Sequence, residues 1–224
     1  HITDKFIDEE FDQSDAHVRK TFFDIATVEE FWQWANGPLA GGLYPDTEKI
    51  DDVSSIVGSI RIRQVRAKPG KCKNSIGVPE RALPSVGCLK DFVDGQNDIQ
   101  TEPFGPGNKY IYHYDNNEMV EYKVSGDRYW NYKYRKGGYH VYLPGNNATR
   151  GIEMLKELQA DEFISVKNGT RLILIDFNIF NPNIDRVVSL RLMVEFWVGG
   201  GAHSNVDTII LEWTAPDDLM GYAL

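Results

Sequence analysis

The stretch that decides the fold is residues 169–200, which read GTRLILIDFNIFNPNIDRVVSLRLMVEFWVGG. From 172 to 180 every odd position is apolar, and polar residues occur only at even positions. From 187 to 198 the parity reverses, so that every even position is apolar. An apolar residue at every second position is typical of a strand with one buried face. The stretch therefore predicts two long, half-buried strands.

The segment between these strands is predicted to be a tight turn. Asn181, Pro182 and Asn183 form it, because proline fixes φ and asparagine tolerates turn geometry. The apolar faces of the two strands coincide only if each odd-numbered residue of the first strand pairs with an even-numbered residue of the second. The register that places the turn symmetrically between the strands meets this condition. That register sets Asp176 opposite Arg191, which predicts a structural ion pair on the more polar face.

The composition limits the classes of function. The 224 residues suffice for one domain with a full core, and we interpret residues 1–224 as a single domain. A formal net charge of −9 argues against nucleic-acid binding, which needs clustered lysine and arginine. We expect neither a transmembrane helix nor a secretory leader here, since no apolar run reaches about 20 residues and the first residues are polar.

Two cysteines and two glycosylation sequons bear on the cellular compartment. Cys72 and Cys88 flank a segment rich in glycine and proline, where a disulfide would stabilise the fold by about 3 kcal/mol. Two unrelated buried thiols are the alternative interpretation. Sequons at Asn147 and Asn168 favour a secreted or lumenal chain. From these residues alone, both interpretations of the cysteines stay open.

Periodicity elsewhere predicts an α+β domain with an antiparallel sheet. Thr27 opens a capping box for a helix that we expect to end at Gly37-Pro38. A second helix is predicted over 147–161, and further strands over 59–67 and 207–213. Proline-rich connections separate these elements, and no linker divides the chain.

Aromatic residues mark a further β region. Tyrosines alternate from residue 110 onwards, and Gly137-Gly138 has the form of a hairpin turn. We therefore predict a protruding hairpin over 128–143. Its tyrosines suit partner binding, and they equally suit cross-strand packing within the hairpin.

Catalytic and metal-binding motifs are absent from the sequence. His113 and His140 lie in tyrosine-rich strands and could be neighbours, which makes them candidate metal ligands. A secreted hydrolase would need one of His113, His140 and His203 beside an acidic residue. Acidic residues could bind Ca²⁺ weakly but lack the spacing of a helix-loop-helix calcium motif. These acidic residues are Asp46, Glu48, Asp51, Asp52, Asp115 and Glu118. We predict no enzymatic activity and no cofactor.

The order and spacing of short motifs resemble one known family. Within 169–200 these are Gly169-Thr170-Arg171, Ile175-Asp176-Phe177, Asn181, Asn183, Arg191-Leu192, Val194-Glu195-Phe196 and Gly199-Gly200. Earlier in the chain they are Phe31-Trp32, Gly42-Leu43-Tyr44, residues 61–66, Gly70-Lys71-Cys72, Phe104-Gly105-Pro106 and Gly138-Tyr139. This pattern resembles that of the extracellular polycystin (TOP) domain of polycystin (TRPP) channels, in particular of the polycystin-2-like channels. A mucolipin-type lumenal domain is a related interpretation that Asn181, Asn183, Arg191 and Glu195 disfavour.

The resemblance implies an α+β fold in which an antiparallel sheet packs with two or three helices. It also implies a protruding hairpin and a loop closed by a Cys72–Cys88 disulfide. Such a domain is inserted between the first two transmembrane helices of a six-helix subunit. The subunits form tetrameric, Ca²⁺-permeable cation channels in ciliary, plasma or endoplasmic reticulum membranes, and the domains lie above the pore on the extracellular or lumenal side.

The resemblance further implies that the hairpin contacts a neighbouring subunit. The expected interface residues are Gly137, Gly138, Tyr132, Tyr134, Tyr139 and Tyr142. The implied partners are subunits of the same channel, with a polycystin-1-like subunit as a further candidate. N-linked glycans at Asn147 and Asn168 are expected, and Ca²⁺ enters only as the ion that the parent channel conducts. An extracellular ligand- or carbohydrate-binding module, using the same tyrosines, is the alternative from another class.

Overall fold

The structure is a computed structural model. It describes residues 4–12, 19–46, 49–50, 53–72, 77, 79, 88–90, 98–114, 122–123, 133–134, 137–197 and 200–212. The helices are α1 (Asp4–Ile7), α2 (Val28–Trp34), α3 (Ala40–Leu43) and α4 (Ala148–Ala160), with a π-helical segment at Ala35–Leu39 and 3-10 turns at Phe22–Asp24 and Pro106–Asn108. The strands are β1 (Phe11–Asp12), β2 (Arg19–Lys20), β3 (Ser55–Arg66), β4 (Pro69–Gly70), β5 (Cys88–Leu89), β6 (Tyr112–His113), β7 (Tyr122–Lys123), β8 (Lys133–Tyr134), β9 (Gly138–Pro144), β10 (Thr170–Asn181), β11 (Arg186–Phe196) and β12 (Ala202–Glu212).

A six-stranded antiparallel sheet forms the centre of the domain. Its strand order is β12-β11-β10-β3-β9-β6, so β10 and β3 lie in the middle. β10 and β11 pair in the predicted register, with Asp176 opposite Arg191. In the turn between them, the Asn183 N–H donates to Asn181 Oδ1 at 3.0 Å. The predicted α+β fold with an antiparallel sheet is confirmed.

One face of the sheet packs against the helices. The odd-numbered apolar residues of β10 are buried on this helix-covered face, and Phe177 contacts Phe6 of α1 with ring centroids 5.0 Å apart. Trp34 of α2 is buried and donates its indole N–H to the Phe6 carbonyl at 2.9 Å. Leu155 and Leu158 of α4 are also buried, as a periodic apolar stripe requires.

The first long helix begins as predicted but ends later. Thr27 Oγ1 accepts the Glu30 N–H at 3.2 Å, which is the expected cap. The predicted stop at Pro38 is wrong, because the helical run continues to Leu43. Proline lacks an N–H and its ring crowds the preceding turn. The π-helical segment Ala35–Leu39 contains Pro38, and a wider turn accommodates the proline without ending the helix.

The predicted hairpin over 128–143 is wrong in its pairing. β9 pairs with β3 and β6, whereas β8 pairs with β7. Gly137-Gly138 is therefore no hairpin turn, and both glycines are buried. A Cβ on Gly138 would lie 2.6 Å from the Gln64 carbonyl oxygen, and one on Gly137 would lie 2.5 Å from the Tyr112 hydroxyl. These glycines allow close packing of distant segments, which a local pattern cannot distinguish from a turn.

Truncating the middle of β10 should destabilise the domain. Ile175 is 1 % exposed and pairs with Ile62 and Leu192 on its two sides. We expect Ile175→Ala to lower the free energy of unfolding in urea by about 2–5 kcal/mol, because it leaves a cavity in the core. Ile184→Ala, in the exposed turn, is the matched control and should change it by no more than about 0.5 kcal/mol. Equal effects of the two substitutions would contradict the assigned core.

Candidate functional site

The second face of the sheet carries a row of charged side chains. Asp176 Oδ2 accepts hydrogen bonds from Arg61 Nη2 at 2.6 Å and from Arg61 Nε at 3.0 Å. Its Oδ1 accepts one from Arg191 Nε at 2.5 Å. The predicted pair is therefore confirmed, and Arg61 is a third member that was not predicted from the sequence. The Asp176 side chain is 17 % exposed, so one half-buried carboxylate holds two guanidinium groups from the neighbouring strands.

This row continues to the two sides of the sheet. Tyr142 of β9 lies opposite Arg61, and Asp207 of β12 lies opposite Arg191. A groove of about 340 Å³ lies along the row, and its lining includes Tyr142 and Ile209. The groove therefore reaches from the β9 side of the sheet to the β12 side.

The other end of this face is covered by the segment that contains β8. The Tyr134 hydroxyl donates to Glu195 Oε1 at 2.6 Å, and both residues are buried. Burial raises the pKa of the Glu195 carboxyl, although hydrogen bonds from Tyr134 and Trp197 and the charges of His203 and Arg171 oppose the shift. Tyr134 is thus an internal anchor that attaches β8 to the sheet.

Tyr139 is also internal. It is fully buried, and its hydroxyl donates to the Glu102 carbonyl at 2.7 Å. Its ring meets the Phe104 ring edge to face, with centroids 4.8 Å apart. Burial raises the pKa of the Tyr139 hydroxyl, which stays protonated. A contact between Tyr139 and a neighbouring subunit is therefore wrong for this fold.

The expected interface residues thus fall into two groups. Gly137, Gly138, Tyr134 and Tyr139 are buried, and Tyr132 lies outside the described residues. Tyr142 is 53 % exposed, and Tyr114 (73 %) and Ile111 (58 %) are exposed next to β6. We call Ile111, Tyr114 and Tyr142 the tyrosine edge, because they lie at the β6–β9 side of the sheet.

The disulfide prediction is confirmed. Cys72 and Cys88 are bonded to each other, and β4 pairs with β5 beside the bond. Asn147 and Asn168 are both exposed, as expected for sequons. Asn147 also caps α4, since its Oδ1 accepts the Arg150 N–H at 3.0 Å. Its amide nitrogen, to which a glycan would attach, is not the capping atom. Glycosylation itself stays a prediction.

The histidines do not assemble a site with acidic residues in the described part of the chain. The rings of His113 and His140 stack with centroids 5.3 Å apart. Burial, with repulsion from Arg61 and Arg63, lowers the pKa of His140 to about 4. His203 lies apart from them, stacked on Trp197. Within the described ranges no group of three or more His, Cys, Asp or Glu side chains could hold a metal ion.

The acidic residues proposed to bind Ca²⁺ lie largely outside the described residues. Those outside are Glu48, Asp51, Asp52, Asp115 and Glu118. Among the described residues, the exposed rings of Phe23 and Trp197 do not join the tyrosine edge in a platform for sugar binding. Phe23 lies in a 3-10 turn and Trp197 follows β11, away from the tyrosine edge in the strand order.

Removing the negative charge from the row should reveal its contribution to stability. Asp176→Asn keeps the shape of the side chain but leaves Arg61 and Arg191 without their shared carboxylate. We expect the free energy of unfolding to fall by about 1.5–3 kcal/mol, the range for hydrogen bonds to charged groups. Asp185→Asn makes the same chemical change in an exposed turn and should have little effect. Urea denaturation that gives equal values for the two variants would contradict a structural role for the row.

Glu195 should make stability depend on pH in a defined direction. Its folded-state pKa lies above the ordinary value of 4.5, so the folded chain binds the proton more tightly than the unfolded chain. This contribution is fully present below about pH 4.5 and is lost as pH rises through the folded-state pKa. We therefore expect Glu195→Gln to gain stability relative to the natural chain at pH 7.5, and to gain less at pH 4. Urea denaturation at pH 4 and pH 7.5 measures the difference in stability between the variant and the natural chain. Equal differences at the two pH values would refute the raised pKa of Glu195.

Comparison with known proteins is consistent with this architecture. The model of the polycystin domain family matches residues 21–210. Polycystin-2-like protein 1 of Homo sapiens is 29 % identical in an alignment 212 residues long, which covers 88 % of this chain and 25 % of that protein. Polycystin-2 of Danio rerio is 26 % identical in an alignment of 194 residues that covers 81 % of this chain and 20 % of that protein. Polycystin-1-like protein 3 of Mus musculus is 28 % identical in an alignment of 183 residues that covers 78 % of this chain and 8 % of that protein.

The chain thus spans a quarter or less of the length of these three relatives. No helix among the described residues is long and apolar enough to span a membrane. The family model covers five strands of the central sheet completely, namely β3, β6, β9, β10 and β11, and β12 as far as residue 210. The chain belongs to the polycystin domain family.

Proposed function

We propose that this domain is the extracellular or lumenal part of a subunit of a polycystin-type, Ca²⁺-permeable cation channel. There it holds neighbouring subunits together above the pore and supports gating. The observation that carries the proposal is the family match over residues 21–210, which includes the strands of the central sheet. The partners are subunits of the same channel or a polycystin-1-like subunit, and Ca²⁺ is the conducted ion.

Two features of the fold support an extracytoplasmic location. The Cys72–Cys88 disulfide is of a kind that persists in oxidising compartments and is rare in the cytosol. Asn147 and Asn168 are both exposed, so glycans at either position would extend into solvent. N-glycosylation occurs on surface loops of secreted or lumenal chains.

Tyr142 is the one residue of the expected interface that is exposed in the described part of the chain, and the tyrosine edge to which it belongs can contact a neighbour. Tyr142 belongs to β9, which is anchored in the sheet by its pairing with β3 and β6, and Tyr114 directly follows β6; both side chains are exposed. Tyrosine rings bury a large area at a small entropic cost, and a hydroxyl at the rim stays hydrated. Because β9 is hydrogen-bonded to β3, this edge is presented on a rigid element.

The experiment uses the full-length parent channel with Tyr114→Ser and Tyr142→Ser combined. We expect fewer tetramers in native electrophoresis of surface-delivered protein, and smaller currents, because the contact area between subunits is reduced. Phe23→Ser is the matched control, since Phe23 is an exposed ring (53 %) on another element. Tyr139→Ser is the folding control, and we expect it to reduce surface delivery because Tyr139 belongs to the core. Normal tetramers and currents in the double variant would show that the tyrosine edge does not assemble the channel.

A further inference from the structure

A groove of about 1060 Å³ borders α2 and takes no part in the charged row or in the tyrosine edge. Among the described residues, it lies between the N-terminal end of α2, residues 162–168 after α4, and Gly200-Gly201 before β12. Its lining includes three buried apolar side chains, namely those of Trp32, Ile164 and Phe196. We call it the Trp32 groove.

Polar amide side chains line the same groove beside this apolar surface. Gln33 and Asn36 follow Trp32 along the chain, and Gln159 belongs to the last turn of α4. The Asn36 amide donates to Gln159 Oε1 at 2.8 Å, which joins the helical run after α2 to α4. Gln33 Oε1, by contrast, is buried and accepts no hydrogen bond. A buried acceptor without a donor is costly, so a ligand that donates to it gains affinity.

Asn168 lies at the rim of the Trp32 groove. It is exposed, and it is the acceptor residue of the second sequon. Its backbone is held in place, because its N–H donates to the Ser165 carbonyl at 3.1 Å and its own carbonyl accepts from Arg66 Nε at 3.1 Å. A glycan attached to Asn168 therefore begins at a fixed point beside the groove.

The first two sugars of an N-linked glycan match the lining of this groove. Both are N-acetylglucosamines, which have an apolar face of C–H groups and a border of hydroxyl and amide groups. An aromatic ring such as that of Trp32 packs against the apolar face, and amide side chains exchange hydrogen bonds with the polar border. Pockets for ligands of about this size have volumes of roughly 300–1,000 Å³. The groove thus has both the size and the chemistry for the glycan core.

A second groove also borders Asn168 but suits a sugar less well. Its volume is about 430 Å³, and its lining includes Arg66 and Asp161, which do not line the Trp32 groove. The Arg66 guanidinium lies over the Phe104 ring, 3.8 Å from its centroid, and so occupies this aromatic face. A neutral sugar has no charge to pair with the arginine or the aspartate. The chemistry therefore favours the Trp32 groove.

We propose that the first two N-acetylglucosamines of a glycan on Asn168 lie in the Trp32 groove, while the outer sugars extend into solvent. In this position they connect α2 to the segment between α4 and β10. The inference rests on the extracytoplasmic location within the proposed function, because N-glycosylation requires that location. Asn147 supplies an internal comparison, since it caps α4 and does not line the groove.

Digestion with endoglycosidase H tests the inference, because this enzyme cuts the bond between the two N-acetylglucosamines. The 224-residue chain is secreted through an added leader peptide from cells that make only oligomannose glycans, and mass spectrometry of glycopeptides follows cleavage at each sequon. In the folded chain we expect cleavage at Asn168 to be about tenfold slower than at Asn147, equivalent to a release free energy of about 1.4 kcal/mol. After reduction and denaturation, the two sites should be cleaved at the same rate.

Two substitutions distinguish a glycan bound in the groove from general shielding of Asn168. Ala26→Trp places a large ring in the groove from an exposed position, and Gln33→Ala removes the buried acceptor. Both should speed cleavage at Asn168 and leave cleavage at Asn147 unchanged. Lys156→Ala is the matched control, because it truncates an exposed side chain of α4 that does not line the groove. Circular dichroism checks each fold, and either groove variant suffices for the test if the other misfolds.

Each other outcome overturns the inference. Equal cleavage rates at the two sites of the folded chain would show that the Asn168 glycan is free in solvent. Slow cleavage that no groove variant changes, or that Lys156→Ala changes equally, would show that the protection arises elsewhere. A secreted chain without a glycan on Asn168 would also contradict it. The added leader imposes secretion, so these results are independent of the channel role, which the Tyr114 and Tyr142 variants test in the parent channel.

Discussion

The fold depends on the pairing of β10 on both of its sides. β3 and β11 both form backbone hydrogen bonds with this strand, and Asp176 accepts side-chain hydrogen bonds from one arginine of each neighbouring strand. A slip of one residue would move every apolar side chain of β10 to the wrong face. It would also separate the half-buried carboxylate from both guanidinium groups. Apolar burial and charge pairing therefore favour the same register, and this agreement stabilises one structure against its alternatives.

Local alternation predicted this central part of the fold well. Strands β10 and β11, the turn between them and the Asp176–Arg191 pair all follow from a period of two within about thirty residues. The contact of Arg61 was not predicted, because Arg61 lies 115 residues from Asp176 in the chain and no local sequence pattern relates the two residues. The composition of the loop and the sequons pointed to a Cys72–Cys88 bond but left two free thiols as an alternative, and the family resemblance strengthened the prediction of the bond.

The region around Gly137 and Gly138 shows where local patterns fail. Two adjacent glycines favour a tight turn, but they equally allow another segment to approach the backbone closely. Here the approaching groups are the Gln64 carbonyl and the Tyr112 hydroxyl, which belong to other strands. The parity of β9 did contain a usable signal: Tyr139 shares its side of the strand with Val141 and Leu143, whereas Tyr142 points the opposite way. That parity distinguishes the buried tyrosine from the exposed one.

Some motifs that suggest function also have a structural cause in this chain. The second sequon needs Thr170, yet Thr170 is fully buried, and its hydroxyl accepts hydrogen bonds from Gln64 Nε2 at 2.6 Å and from the Ser165 N–H at 2.8 Å. The threonine is thus required by the sheet whether or not Asn168 carries a sugar. The exposed Tyr114 is different: its ring meets that of Tyr112 with centroids 4.9 Å apart, yet it stays 73 % exposed, so packing within the sheet leaves most of its area available to a partner.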